Sequence, residues 1–328
     1  MAFRLAVDCL GFENHPREAI DAVLEYWSYH QELEFILVGD EKTFDGLDYL
    51  PKNITKQLAS SCIDMTDTPL TARRKVNNSM QKAINLVRDG AADVVISAGS
   101  SAVYASLTYD GFGKIHKDVK SAFMSYVPTA NNDWFYFLDV GANKNFTGKE
   151  LYFLGLMADI FVKKTTNKIS PRIALLNIGT EIHKGFDYHQ EGYQLLNEDK
   201  HLNFTGFIEP RFLLDGVCDI LVADGYSGNL VLKSMEGTFK TIARLLKQGY
   251  KRNPLAGLFS LGILKRIAKR FDYKNNAGAV VIGLNKLALK THGSADKQQF
   301  LSTIRLAHTS LKSDLINAIK SSLDNYEK

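Results

Sequence analysis

CDILVADGYSGN, residues 218–229, runs from a nearly continuous apolar stretch into small and polar residues. A strand with one face in water would alternate; an unbroken run fits a strand covered on both faces by helices. Asp224 and Gly225 end the run, and a long helix is predicted from about Leu230 to Tyr250. The same pattern recurs outward in both directions, in FRLAVD, EFILVG, ADVVISAG, WFYFLDVG and PRIALLNIG, most of which end on Gly. Helical spacing fills residues 70–89 and 148–164, and residues 296–326 read as one closing helix. The alternation predicts an α/β fold with a mostly parallel, doubly wound sheet. SAFMSYVPT followed by NNDWFYFLDVG reads as a hairpin, which makes the sheet mixed. With no low-complexity linker, the chain is expected to be one two-lobed unit, residues 1–328, with a soft division near residue 145.

Charge and composition narrow the function classes. The 328 residues carry 40 Lys and Arg against 36 Asp and Glu, a net +4, which argues against a dedicated nucleic-acid binder. At 45% hydrophobic and 23% charged, the chain has the material for a large core. Cys9, Cys62 and Cys218 are widely separated and form no CxxC pair, so neither a disulfide framework nor a zinc cluster is expected. The apolar run at the N-terminus is interrupted by Asp8, unlike a secretory signal, and no stretch reaches the ~18 apolar residues of a spanning helix. A reducing, cytoplasmic setting is the expectation. The charge is unevenly spread. Residues 240–274 hold ten basic residues and one acid, a local +9, leaving −5 on the remainder.

In open α/β sheets, ligands sit beyond the carboxyl ends of the strands. Six loops there are rich in small and polar residues: Asp8–Pro16 with Asn14 and His15, Ser97–Ala102 with Gly99 and Ser100, Asp139–Asn143, Asn177–Gly185, Asp224–Asn229, and His292–Asp296 with Gly293 and Ser294. Any one of them is explained by turn geometry and helix capping alone. Six together offer backbone N–H groups and hydroxyls at helix starts, a chemistry suited to phosphate or an oxyanion. There is no GxxxxGK[ST], and no GxGxxG follows the first strand. GYSGN departs from a nucleophile elbow because Asn229 stands where the second Gly belongs. Lys184 and Lys233 follow Gly-rich loops, where an ammonium is either simply solvated or neutralises a phosphate. His15 and His292 are placed to reach the crevice without an identifiable carboxylate partner, and no metal-ligand pattern is present.

LAVDCLGFENHP, SAGSSA, LDVGAN, LLNIGTEIHKG, GVCDILVADGYSGNLVLKSMEG and HGSAD, in this order and spacing, resemble the bacterial phosphate acyltransferases of phospholipid synthesis, the PlsX family. The resemblance runs nearly end to end. It implies a three-layer α/β/α fold with a mixed, mostly parallel sheet, like isocitrate and isopropylmalate dehydrogenases and phosphotransacetylases, and a homodimer. It also implies transfer of a fatty acyl group from acyl carrier protein to inorganic phosphate, supplying acyl phosphate to a glycerol-3-phosphate acyltransferase. The first loop departs from the family's MGGDHAP, placing Phe12, Glu13 and Asn14 where Gly, Asp and His are usual; SAGSSA departs from SAGNTGA, while Glu181 and Lys184 are retained.

A thioester is already activated and phosphate is an anionic nucleophile, so this reaction needs no metal, cofactor or covalent enzyme intermediate. Lys184, Ser227, Asn229 and Asp224 are the expected catalytic residues. Gly179 and Thr180 join Lys184 and the Ser227–Asn229 loop in holding phosphate or the developing oxyanion. Asp224, Glu181 and Asp8 are expected to orient lysines and loops. Asp139, Asn143, Asn177, Gly225, Gly228 and Lys233, with the loop residues named above, are expected to bind substrate. The nearest alternatives are a phosphotransacetylase using acyl coenzyme A and a non-catalytic membrane-associated scaffold of the same fold.

Residues 252–271 read as an amphipathic basic helical hairpin, broken near Gly257 or Gly262. Leu255, Leu258 and Phe259 form its apolar tip; Lys265, Arg266, Lys269 and Arg270 form a basic face. Two readings stand: packing within a dimer interface, or contact with an anionic membrane surface or the acidic carrier protein. The resemblance favours a cytoplasmic enzyme peripherally associated with the membrane.

Overall fold

A computed structural model describes residues 2–252, 262, 266–267 and 278–326. The chain forms two compact units, one made of residues 1–125, 156–170 and 274–328, the other of residues 126–155 and 171–273. The sequence suggested a softer division near residue 145.

In the first unit, β1 (Arg4–Asp8) lies between β2 (Glu34–Gly39) and β4 (Val94–Ser97), parallel to both, and β3 (Ile54–Leu58) pairs beyond β2. Beyond β4 come β11 (Leu287–Lys290), parallel to it, then β10 (Ala279–Ile282) and β5 (Ala122–Pro128), with β10 antiparallel to both its neighbours. Helix α1 (Arg17–Tyr29) packs on α8 (Lys297–Lys312), and α3 (Ser79–Arg88) packs on α4 (Ser101–Phe112) and on β1, β2 and β4. Leu5, Val7, Leu37, Val95, Phe300 and Ile304 are fully buried between these layers. Each such side chain contributes roughly 1.5–3 kcal/mol.

The second unit contains β6 (Trp134–Leu138), β9 (Ile220–Val222), β7 (Arg172–Leu176) and β8 (Asn203–Ile208), paired in that order and all parallel. Its core joins Phe135, Phe137, Leu176, Leu221 and Ala223 to Val231, Leu232 and Met235 of α7 (Gly225–Arg252). Helix α6 (Asp187–Glu198) follows β7, and α5 (Gly148–Thr165) precedes it. Among the described residues no helix is long and apolar enough to cross a membrane.

The structure departs from the sequence reading at several elements. Helix α7 starts five residues early, because Asp224 Oδ1 accepts the Ser227 N–H and caps DGYSGN as a helix start. Residues 70–89 divide into α2 (Pro69–Ala72) and α3, with Asn77 at φ 58° and Asn78 capping α3 through the Gln81 N–H. The closing segment is also two helices, α8 and α9 (Leu315–Tyr326), separated at Asp314, whose φ is 50°. Strands β3, β8, β10 and β11 escaped the pattern. β3 and β8 are sheet edges with mostly unburied side chains, while β10 and β11 are only four residues long. Of the predicted basic hairpin, Leu255, Leu258, Phe259, Lys265, Lys269 and Arg270 lie outside the described residues; Arg266 is exposed.

Candidate active site

In the second unit, the turn after β6 is organised by Asp139, which is fully buried. Its Oδ1 accepts the N–H groups of Gly141 (3.1 Å) and Ala142 (3.0 Å), and its Oδ2 accepts the Asn143 N–H (2.8 Å) and Nδ2 (3.1 Å). One carboxylate thereby fixes three successive backbone N–H groups and the Asn143 side chain. The first turn of α7 rests on this platform. A Cβ on Gly225 would lie 2.2 Å from Asn143 O, and one on Gly228 would lie 2.0 Å from Asp139 O. Only hydrogen fits at either position. Gly141 (φ +125°) in turn lies under the Asn229 carboxamide, 3.0 Å from its Nδ2 were a Cβ present. The side chains of Ser227 and Asn229 are therefore set by close backbone approach between two loops.

Asp224 is buried beside them. Its Oδ2 accepts from Tyr188 OH at 3.4 Å and stands 3.7 Å from His189 Nε2. Burial pushes the Asp224 carboxyl up, but His189 and the Ser227 donors together hold it below the ordinary carboxylate range. Burial and the facing carboxylate push the Tyr188 phenol up to about 12.

The loop after β7 closes on itself. Asn177 donates from Nδ2 to Lys184 O (3.0 Å) and accepts the Ile178 N–H on Oδ1 (2.9 Å), while Gly185 (φ +87°) turns tightly against it. Inside this ring, Lys184 Nζ pairs with Glu181 Oε1 at 2.8 Å, and the Lys184 N–H donates to Glu181 O at 3.0 Å. The ammonium lies over Gly179, where a Cβ would be 2.9 Å from Nζ and 2.5 Å from Cδ. Lys184 and Glu181 keep 41% and 49% of their side-chain surface exposed, so the pair is accessible to an anion. Lys184 holds the Glu181 carboxyl below its usual range. Thr180 is exposed at the same bend.

The first unit has its own group of loops. Ser97 Oγ donates to Asp8 Oδ2 at 2.8 Å and accepts the Gly99 N–H at 3.1 Å. Asn14 donates from Nδ2 to the carbonyls of Ser294 (2.9 Å) and Ala295 (3.1 Å), and the Glu13 N–H donates to Gly293 O. Asn14 thus ties the first loop to the last one. His15 Nδ1 accepts the Arg17 N–H, His292 Nδ1 meets Ser294 Oγ at 2.8 Å, and Ser100 is the buried residue before α4.

The expected residues thus gather within each unit. Asp139, Asn143, Asp224, Gly225, Ser227, Gly228 and Asn229 form one constellation, linked through Tyr188 and His189 to the loop carrying Asn177, Gly179, Thr180, Glu181 and Lys184. Lys233 is exposed further along α7. Asp8, Asn14, Ser97, Gly99, Gly293 and Ser294 belong to the group in the first unit. Three residues escaped sequence reasoning. Tyr188 and His189 lie just past Gly185, where the loop's small-residue pattern stops. Lys290 ends a strand too short to recognise, and it is buried. Cys9 and Cys218 are buried thiols, and burial pushes the Cys9 thiol far up.

The family described as "Fatty acid synthesis protein" matches residues 3–318 of the chain. A phosphate acyltransferase of Mycoplasma genitalium is 82% identical over 328 residues, covering 100% of both chains. One from Mycoplasmoides gallisepticum is 54% identical over 319 residues, covering 97% of each. Among solved structures, a branched-chain phosphotransacylase from Enterococcus faecalis superimposes with a TM-score of 0.58 at 14% identity, over 94% of this chain and 99% of its own. At that identity the likeness is one of fold, the three-layer α/β/α arrangement.

Proposed function

The chain belongs to the PlsX family of phosphate acyltransferases, and from that premise we propose that it moves a long-chain fatty acyl group from acyl carrier protein to inorganic phosphate. A phosphate oxygen attacks the thioester carbonyl, a C–O bond forms, the C–S bond breaks, and the carrier thiolate leaves. The acyl phosphate then serves a glycerol-3-phosphate acyltransferase in phospholipid synthesis. The observation that carries the reading is the exposed Lys184 ammonium folded over Gly179 within a self-closed loop. It presents a partly solvent-exposed point charge at a tight turn, the requirement for holding phosphate. Ser227 and Asn229, fixed on the Asp139 platform, supply neutral donors for the tetrahedral oxyanion. Asp224 and Glu181 orient these groups.

The purified protein, given long-chain acyl carrier protein and phosphate, releases carrier thiol and forms an acyl phosphate that hydroxylamine traps. Absence of phosphate-dependent release overturns the proposal. Equal or faster turnover with acyl coenzyme A reassigns the donor.

The same reading places the enzyme in the cytoplasm as a homodimer peripheral to the membrane. The stripe of Leu232 and Met235 on α7 continues beyond the core as Ile242, Leu245 and Leu246, all three exposed among the described residues, with the spacing of a helix seam. Lys240, Arg244, Lys247, Lys251 and Arg252 are exposed on the same helix and extend the basic segment. Each such charge near an anionic surface is worth ~1 kcal/mol. Leu258→Glu weakens co-sedimentation with anionic vesicles; unchanged co-sedimentation assigns the apolar tip to packing between protein surfaces instead.

A further inference from the structure

His189 is buried at the start of α6, and its two ring nitrogens serve different parts of the second unit. Nδ1 accepts the Phe186 N–H at 3.2 Å, while the His189 N–H donates back to Phe186 O at 2.8 Å. An accepting Nδ1 carries no proton, so the neutral ring bears its proton on Nε2. Nε2 stands 3.7 Å from Asp224 Oδ2, and Tyr188 OH donates to the same oxygen at 3.4 Å. The other oxygen, Oδ1, accepts the Ser227 N–H at 2.9 Å. Asp224 thereby joins the start of α6 to the start of α7, one oxygen for each.

The same first turn of α6 holds the lysine loop. His189 takes the Phe186 N–H, and Gln190 Nε2 donates to His183 O at 3.1 Å. Lys184 lies between these two anchors, and its own carbonyl accepts from Asn177. We infer that His189, with Tyr188 beside it, is a positioning residue for acyl transfer: through Asp224 it fixes Ser227 relative to the loop that carries Lys184. All of these residues belong to the second unit, and each link from that loop to Ser227 is a direct contact within it.

Capping alone does not account for the arrangement. Closing the first turn of a helix in this way needs one side-chain acceptor at its third position, which glutamate or glutamine ordinarily supplies. Nδ1 fills that role and leaves Nε2 without a part in it. Imidazole adds this second nitrogen opposite a buried carboxylate, and the Tyr188 and His189 rings, 4.2 Å apart between centroids, turn their polar atoms to one oxygen of it. Contacts slightly beyond hydrogen-bond length at a catalytic site tighten as the reacting groups come together.

The inference rests on the acyl-transfer reading, and its test is phosphate-dependent thiol release by the full chain with long-chain acyl carrier protein. His189→Asn keeps an acceptor in the place of Nδ1 and withdraws the group that faces Asp224. It lowers kcat ~10- to 100-fold, the scale of a small misplacement at a reacting centre, and leaves the phosphate KM near the wild-type value. His189→Gln, whose amide nitrogen reaches the place of Nε2, recovers most of that loss. In a Ser227→Ala background His189→Asn costs little further, because residues that act through one group are not additive. A helix cap and nothing more would be felt equally in both backgrounds. Wild-type kcat in His189→Asn, a loss confined to KM, a His189→Gln as slow as His189→Asn, or equal losses with and without Ser227 overturns the inference. Should His189→Asn not fold, Tyr188→Phe takes its place in the cycle, removing the other donor to Asp224 from a half-buried position, and equal losses in the two backgrounds overturn the inference. No release by the wild type overturns the acyl-transfer reading, and this inference with it.

Discussion

Lys184→Ala folds normally and turns over about 10²- to 10³-fold more slowly than wild type, the scale of losing one preorganised electrostatic contact, here the cation that holds the reacting phosphate. Normal folding follows from exposure. With 41% of the lysine side chain and 49% of Glu181 in solvent, their pair is a surface ion pair and adds little to stability. The chemical loss follows from position, since among the described residues Lys184 is the lysine or arginine that pairs within the loop Asn177 closes. Lys184→Arg recovers little, because the Lys184 Cδ already lies 2.5 Å from where a Gly179 Cβ would be and a planar guanidinium demands more room. Glu181→Gln costs less than Lys184→Ala, since it releases the ammonium without removing it. The measurement is kcat for phosphate-dependent thiol release alongside Tm; wild-type turnover in Lys184→Ala removes the lysine from the mechanism.

The strands that were legible in the sequence are those buried on both faces. β1, β2, β4, β6, β7 and β9 are continuous apolar runs, and continuity is what two-sided covering imposes. The hidden strands lack that signature for different reasons. β3 buries only Ile54 and carries Thr55, Lys56 and Gln57 at a sheet edge, so its composition is that of a loop. β11 is fully buried but four residues long and ends on a lysine, which ordinarily marks solvent. Lys290 was unreadable for the same reason, since its burial is a property of Ala98 and Asp8, remote in sequence. Tyr188 and His189 show the converse limit. Their link to Asp224 spans 36 and 35 residues of chain, and no local spacing rule reaches that far. Within the loops themselves, glycine and asparagine positions were readable because turn geometry and helix starts impose local demands.

Gly228→Ala tests whether the Asp139 platform sets the catalytic geometry, and it is expected to impair both stability and turnover. The added methyl would lie 2.0 Å from Asp139 O and 3.1 Å from Asp139 C, both backbone atoms that no rotamer change can move. An ordinary C···O approach is ~3.3 Å or more, so α7 and the 139–143 turn must separate by roughly 1 Å. Overpacking of this kind costs roughly 1–3 kcal/mol. The turn has little freedom to yield, because Asp139 holds Gly141, Ala142 and Asn143 by their N–H groups. The displacement therefore falls on the start of α7 and carries Ser227 and Asn229 with it. A misplacement of 1 Å at a reacting centre can cost about 10²-fold in rate. Gly237→Ala supplies the control within the same helix. Nothing lies within 4 Å of its would-be Cβ, so there the substitution only removes backbone entropy and stabilises the helix by up to ~1 kcal/mol. Thermal unfolding and thiol release of the two variants together separate close approach from helix propensity: Gly228→Ala lowers Tm and turnover, Gly237→Ala raises Tm and leaves turnover intact. A Gly228→Ala enzyme with wild-type Tm and kcat would mean that the platform adjusts freely, and Asp139 would then lose its place as the group that fixes Ser227 and Asn229.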